Sequence, residues 1–101
     1  MPSLKELLLA VPEARVIGDA DTEVTALAYD SREVASGTAF VCVRGLVRDG
    51  HEFIPQALER GATTIVVDNE ESLAIIPDTV AKVIVPDTRL AMAHLACEFY
   101  S

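Results

Sequence analysis

The chain has 101 residues and a formal net charge of −8, from 16 Asp+Glu against 8 Lys+Arg; half of it is hydrophobic and only 5% aromatic. That length suits one domain and excludes two ordinary ones, and a core so short of aromatics must be built from Val, Ile, Leu and Ala. A charge this negative repels nucleic acid and anionic membrane surfaces, so neither is an expected partner, and a phosphorylated ligand has to be met by a local basic site.

In chain order, Ser3-Leu4-Lys5-Glu6 has the pattern of a capping box and predicts a short helix through Ala10, stopped by Pro12. The apolar stretch Leu7–Val11 lacks the basic flank and small-residue cleavage site of a signal peptide. Other apolar runs fall far short of the ~20 residues that span a bilayer, so a cytoplasmic location is expected. Val16-Ile17-Gly18 reads as extended and Asp19-Ala20-Asp21 as a turn. Val24–Tyr29 reads as a strand broken by Asp30-Ser31-Arg32, because Asp and Ser side chains hydrogen-bond the backbone just ahead. After a turn at Ser36-Gly37, Ala39–Val43 is a continuous apolar run, as expected of a strand buried on both faces.

A loop bounded by glycines follows, Gly45–Gly50. Glu52–Arg60 predicts a helix with Phe53, Ile54, Ala57 and Leu58 on one face, and Gly61 stands where a C-terminal cap belongs. Thr63–Val67 is a β-branched strand, residues 68–79 read as polar loop, and Val80–Val85 is a last strand ended by Pro86. Asp87 or Thr88 caps a final helix, Arg89–Tyr100, whose expected buried stripe is Leu90, Ala93, Ala96, Cys97 and Tyr100. The order predicts an α/β fold, a small mixed β-sheet covered by helices. Cys42 and Cys97 show no metal-ligand spacing and are expected as buried free thiols.

Two segments are candidates for chemistry. Val43–His51 follows a buried strand and precedes a helix, the position where α/β folds bind ligands. Its Gly45-x-x-x-x-Gly50 spacing imitates a phosphate-binding loop, but His51 and Glu52 stand where that loop needs Lys and Ser/Thr, which excludes ATP hydrolysis by this segment. Asp30-Ser31-Arg32 offers a hydroxyl and a guanidinium at another strand end. Arg32, Arg44 and Arg48 are either a local anion site or surface arginines paired with Asp30, Glu33 and Asp49. No nucleophile–His–acid order or acid–base carboxylate pair is present, so no catalytic residue is assigned; Glu70-Glu71 reads as a solvated charge run.

Taken together, Asp30-Ser31-Arg32-Glu33-Val34, Gly37, Phe40-Val41, Gly45, Asp49-Gly50-His51, Phe53-Ile54, Ala57 and Gly61-Ala62 stand in the order and spacing of the amino-terminal domain of the Mur ligase family. Asp87-Thr88-Arg89-Leu90-Ala91 and Phe99-Tyr100-Ser101 extend the match. The pattern resembles MurE-type members more than MurF-type ones, which often carry Asp-Thr-Arg where this chain has Asp30-Ser31-Arg32.

The resemblance implies a single amino-terminal UDP-substrate-binding domain over residues 1–101, with the central ATP-binding and carboxy-terminal domains outside it. The full-length enzyme would use ATP and Mg²⁺ to add L-lysine or meso-diaminopimelate to UDP-N-acetylmuramoyl-L-alanyl-D-glutamate in peptidoglycan biosynthesis. This segment holds no cofactor and is not catalytic by itself; its partners are the UDP-substrate and the remaining domains. By the same resemblance, Tyr29, Ser31, Leu46, Val47 and Arg48 contact the uridine-diphosphate part. Leu46-Val47-Arg48 is the variable stretch of the family motif, so backbone contacts there are expected to persist better than side-chain ones. The competing readings are a MurF-type domain, a non-catalytic α/β adaptor for a protein partner, and a general nucleotide binder.

Overall fold

A computed structural model describes residues 2–101. Eight regular elements alternate along it: α1 (Leu4–Leu7), β1 (Arg15–Ile17), β2 (Ala26–Ala28), β3 (Thr38–Val41), α2 (Ile54–Glu59), β4 (Thr64–Val67), β5 (Ala81–Ile84) and α3 (Thr88–Phe99). The strands form one sheet in the order β1-β5-β4-β3-β2, with β1 antiparallel to β5 and every other pair parallel. This is the mixed sheet with helices expected from the sequence.

Alternation along the strands feeds two cores, one on each face of the sheet. Ala39, Val41, Val66 and Val83 pack with Leu4, Leu7, Ala91 and Leu95 of α1 and α3. Phe40, Ile65 and Val67 pack with Ile54 and Ala57 of α2. Every residue of β3 and β4 is buried, which is why both read as unbroken apolar or β-branched runs.

Local chemistry sets the element ends. The Ser3–Glu6 capping box forms in full. α2 starts late because Pro55 has no N–H for an i→i−4 bond; a 3₁₀ turn over Gly50–Phe53 precedes it, capped reciprocally by Asp49 and Glu52. Gly61 has φ +101°, and a Cβ there would meet Ser36 Cα at 2.9 Å. Asp87 caps α3 by accepting from the N–H groups of Arg89 and Leu90.

The structure corrects four expectations. The second strand is shorter than Val24–Tyr29, because the N–H groups of Val24 and Thr25 turn to the carbonyls of Pro2 and Gly37. The stretch 68–79 holds a 3₁₀ turn, Glu71–Ile75, opened by Asn69 Oδ1, which accepts from the Ser72 N–H at 2.9 Å, and closed by buried Ile76. The buried stripe of α3 is Thr88, Ala91 and Leu95, with Met92 and Phe99 partly packed; Leu90 and Tyr100 are exposed instead. α3 is apolar on more than one face, so spacing alone offered two stripes. Packing of Ala91 and Leu95 against Val41, Val66 and Val83 of the sheet selected the rotation that was adopted. Cys97 lies on the exposed face and is not the buried thiol expected, whereas Cys42 is.

Candidate functional site

β2 and β3 are parallel neighbours, with Ala28 opposite Phe40, so the segments leaving their carboxyl ends emerge side by side. Those segments are the two picked out from the sequence. Between them lies a cavity of about 740 Å³ lined by Tyr29 to Arg32, by Val43, Gly45, Arg48, Gly50 and Phe53, and by Arg89 and Met92 of α3. Open clefts at strand carboxyl ends are where α/β folds take ligands.

The loop after β3 is tightly built. The Gly45 N–H donates to the Arg48 carbonyl at 2.9 Å, and Arg44 and Asp49 form an antiparallel bridge. The chain then returns against itself: the Gly50 N–H donates to the Val43 carbonyl at 2.9 Å, and a Cβ on Gly50 would lie 2.8 Å from Val43 N. This close approach requires glycine. Leu46 and Val47 sit at the loop tip, fully exposed, and do not line the cavity.

A charged network braces this loop from below. Arg44 donates from Nε and Nη2 to Asp68 at 2.7 and 2.9 Å and from Nη1 to Asp49 at 2.8 Å. The hydrogen bonds of Arg44 hold the Asp68 carboxyl below its ordinary range against the opposing effect of burial. Burial pushes Asp49 upward, but hydrogen bonds from His51 and the charge of Arg44 together carry it below the ordinary value. His51 is nearly buried and lies between the two carboxylates. Its Nε2 accepts the Asp68 N–H at 3.2 Å and its Nδ1 is 2.7 Å from Asp49 Oδ1. A backbone N–H only donates, so Nε2 carries no proton and Nδ1–H donates to Asp49.

The other wall is the 3₁₀ turn Ser31–Glu33. Asp30 caps it through the Arg32 N–H and also takes the Arg32 guanidinium, at 2.7 Å from Nη2; these bonds lower the Asp30 carboxyl to about 2. Arg60, at the end of α2, secures the turn by donating to the carbonyls of Arg32 and Val34 at 2.9 and 3.2 Å. The Ser31 hydroxyl has no hydrogen-bond partner among the described residues and lines the cavity.

Of the residues expected from sequence, Tyr29, Ser31 and Arg48 come together at the cavity, while Leu46 and Val47 stand at its rim loop. Arg32 and Arg44 are both paired with carboxylates, as one of the two sequence readings had it. Sequence reasoning missed Arg89 and Met92. One signal was available for Arg89: it is a cation in the first turn of a helix, where the dipole disfavours positive charge.

The start of the 50–53 turn is not a phosphate cradle. Its N–H groups are already used: Gly50 donates to the Val43 carbonyl, His51 to the Asp49 carboxylate and Glu52 to the Asp49 carbonyl. The residues present therefore do not fit ATP or its Mg²⁺ here. Cys42 lies beneath the site, and its thiol is pushed well up by burial, so it carries no nucleophile at neutral pH.

Residues 23–100 match the sequence family described as "Mur ligase family, catalytic domain". A UDP-N-acetylmuramoyl-L-alanyl-D-glutamate–2,6-diaminopimelate ligase of Clostridioides difficile is 39% identical over 97% of this chain, and one of Geobacillus thermodenitrificans is 43% identical over 96% of it. The chain spans about a fifth of the length of these relatives, 19% of each. Among solved structures, MurF from Acinetobacter baumannii superposes with a TM-score of 0.77 at 28% identity, covering 95% of this chain and 20% of that one. MurF ligase from Thermotoga maritima, solved in complex with ADP, gives a TM-score of 0.59 at 32% identity, covering 76% of this chain and 16% of that one.

Proposed function

Because this chain belongs to the Mur ligase family, we propose that residues 1–101 form the amino-terminal, substrate-binding domain of a MurE-type ligase. In this reading it holds the UDP end of UDP-N-acetylmuramoyl-L-alanyl-D-glutamate while other domains of a longer cytoplasmic protein add the diamino acid with ATP and Mg²⁺. The carrying observation is the cavity between the β2 and β3 exits. On a protein of net charge −8, three of the eight basic residues line it, together with only one carboxylate, Asp30, which Arg32 neutralises.

The chemistry of the lining suits a nucleoside diphosphate. Tyr29, Phe53 and Met92 offer flat or soft apolar surface for a base, and Ser31 offers one donor and two acceptor lone pairs. The exposed 45–48 loop, with Leu46, Val47 and Arg48, closes one side, where backbone groups read the ligand's edge. The part played by these residues is binding and orientation; no step of amide-bond formation is assigned to them.

The test is an amide NMR titration with UDP-N-acetylmuramoyl-L-alanyl-D-glutamate, with ATP as control. Shifts in Tyr29–Arg32, Val43–Phe53 and around Arg89 and Met92, absent with ATP and weakened in Ser31→Ala, are the expected result. Equal shifts from both ligands, or none from either, would overturn it. The solved neighbours favour a second reading, a MurF-type domain, at lower identity than the curated relatives (28% against 39% and 43%). Assaying the full-length protein on the dipeptide substrate with a diamino acid, and on the tripeptide with D-alanyl-D-alanine, separates the two.

A further inference from the structure

Three arginines line the cavity, Arg32, Arg48 and Arg89, and Arg44 braces the loop beside it; their guanidinium groups are not equally available. Arg44 spends Nε, Nη1 and Nη2 on Asp68 and Asp49. Arg32 is held by both oxygens of Asp30, Nε at 3.1 and 3.3 Å and Nη2 at 2.7 Å. Both charges are cancelled locally. Arg48 has only a loose contact with Glu52, 3.8 Å, and lies over the Phe53 ring at 5.0 Å from its centroid. Arg89 makes no ion pair with any carboxylate among the described residues. Its one side-chain hydrogen bond donates from Nη2 to the carbonyl of Arg44, at 2.8 Å.

Arg89 stands in the first turn of α3, at the positive end of the helix dipole, where no local interaction favours a cation. It reaches across to the residue that opens the 44–50 loop, and it is one of the residues that line the cavity. Resting on the reading of the site as a UDP-binding cleft, we propose that Arg89 is a ligand-binding residue that takes the diphosphate of the bound nucleotide together with Arg48. Arg32 and Arg44 hold the walls and do not meet the anion. One N–H of Arg89 clasps the loop, and the remaining N–H groups match the planar, two-pronged geometry that phosphate oxygens accept. The bond to a neutral carbonyl leaves the positive charge intact for the ligand.

The experiment compares uridine and UDP binding to the chain and to Arg89→Gln and Arg15→Gln, by NMR titration. Both side chains are exposed, and an unchanged amide spectrum away from the cavity verifies the fold. Arg89→Gln is expected to weaken UDP by about tenfold or more while leaving uridine within about twofold, because only the charged hydrogen bonds to phosphate are lost. Arg15→Gln, which loses only an exposed ion pair with Glu70 away from the cavity, is expected to change neither ligand by more than about twofold. UDP affinity equal in wild type and Arg89→Gln overturns the assignment but leaves the UDP reading standing. Equal losses of uridine and UDP reduce Arg89 to a clasp and overturn its contact with the anion. A wild-type chain that binds neither ligand overturns the UDP reading and this proposal with it. If Arg89→Gln disturbs the fold, Arg89→Lys serves the same comparison: a selective loss for UDP supports the fork, and a shared loss overturns it.

Discussion

His51 accepts the backbone N–H of Asp68 at Nε2, 3.2 Å away, and so ties the loop after β3 to the end of β4 through a side chain that is almost fully enclosed. Replacing it with alanine leaves the Asp68 N–H and one lone pair of Asp49 without partners. We expect His51→Ala to lose about 1–3 kcal/mol of stability, read as a lower urea midpoint. In the wild type, ¹⁵N spectra at neutral pH should show the Nδ1–H tautomer of His51. An Nε2–H tautomer would contradict the arrangement.

The same network sets the acid response. Asp30, Asp49 and Asp68 have folded-state values below the ordinary 3.8, with Asp30 at about 2. A depressed carboxyl contributes stability that is fully present above its unfolded-state value and is lost as pH falls through the folded-state value. These three groups therefore leave stability flat near neutrality and draw it down below about pH 4. Asp68→Asn removes one contributor, so its urea midpoint should fall less between pH 6 and pH 3 than that of the wild type, roughly the range over which a carboxylate of this kind titrates. Parallel pH profiles would remove Asp68 from the account.

Gly50 is where the chain must touch its own backbone, since a Cβ would come within 2.8 Å of Val43 N and 2.9 Å of Val43 O. Neither atom can swing away as a side chain would. Gly50→Ala is expected to cost about 1–3 kcal/mol and to abolish ligand shifts in the 44–50 loop. Leu46→Ala, at the fully exposed tip of the same loop, should stay within about 0.5 kcal/mol of wild type. Similar stabilities for the two variants would show that the loop is not anchored through Gly50.

Thr64 carries a hydroxyl in a fully buried strand, and its Oγ1 has no hydrogen-bond partner. Valine keeps the branched shape and removes the unsatisfied oxygen. Thr64→Val is expected to stabilise the fold by about 1 kcal/mol, raising Tm by roughly 4–8 °C. A lower Tm would mean that the hydroxyl is satisfied in solution.

Much of the site was legible because its chemistry is local. Asp30, Asp49 and Asp87 each cap the turn or helix that follows them, and the two candidate loops could be placed at strand ends from the apolar runs before them. That those loops form one site follows from the parallel pairing of β2 with β3. The relation of this chain to its family was carried by the same turn residues.

What the sequence by itself determined was the alternation of elements, their caps and glycine stops, and the positions of the two candidate loops, because each depends on bonds spanning a few residues. Tertiary structure alone decided the rest. The apolar surface of α3 allowed two rotations, and only packing on the sheet chose Thr88, Ala91 and Leu95 over Leu90 and Tyr100. That choice carried Met92 to the cavity and left Arg89 facing the loop that begins 45 residues earlier. It also separated arginines whose charge is cancelled by a neighbour from those whose charge is not, because pairing depends on which carboxylates the fold brings within reach.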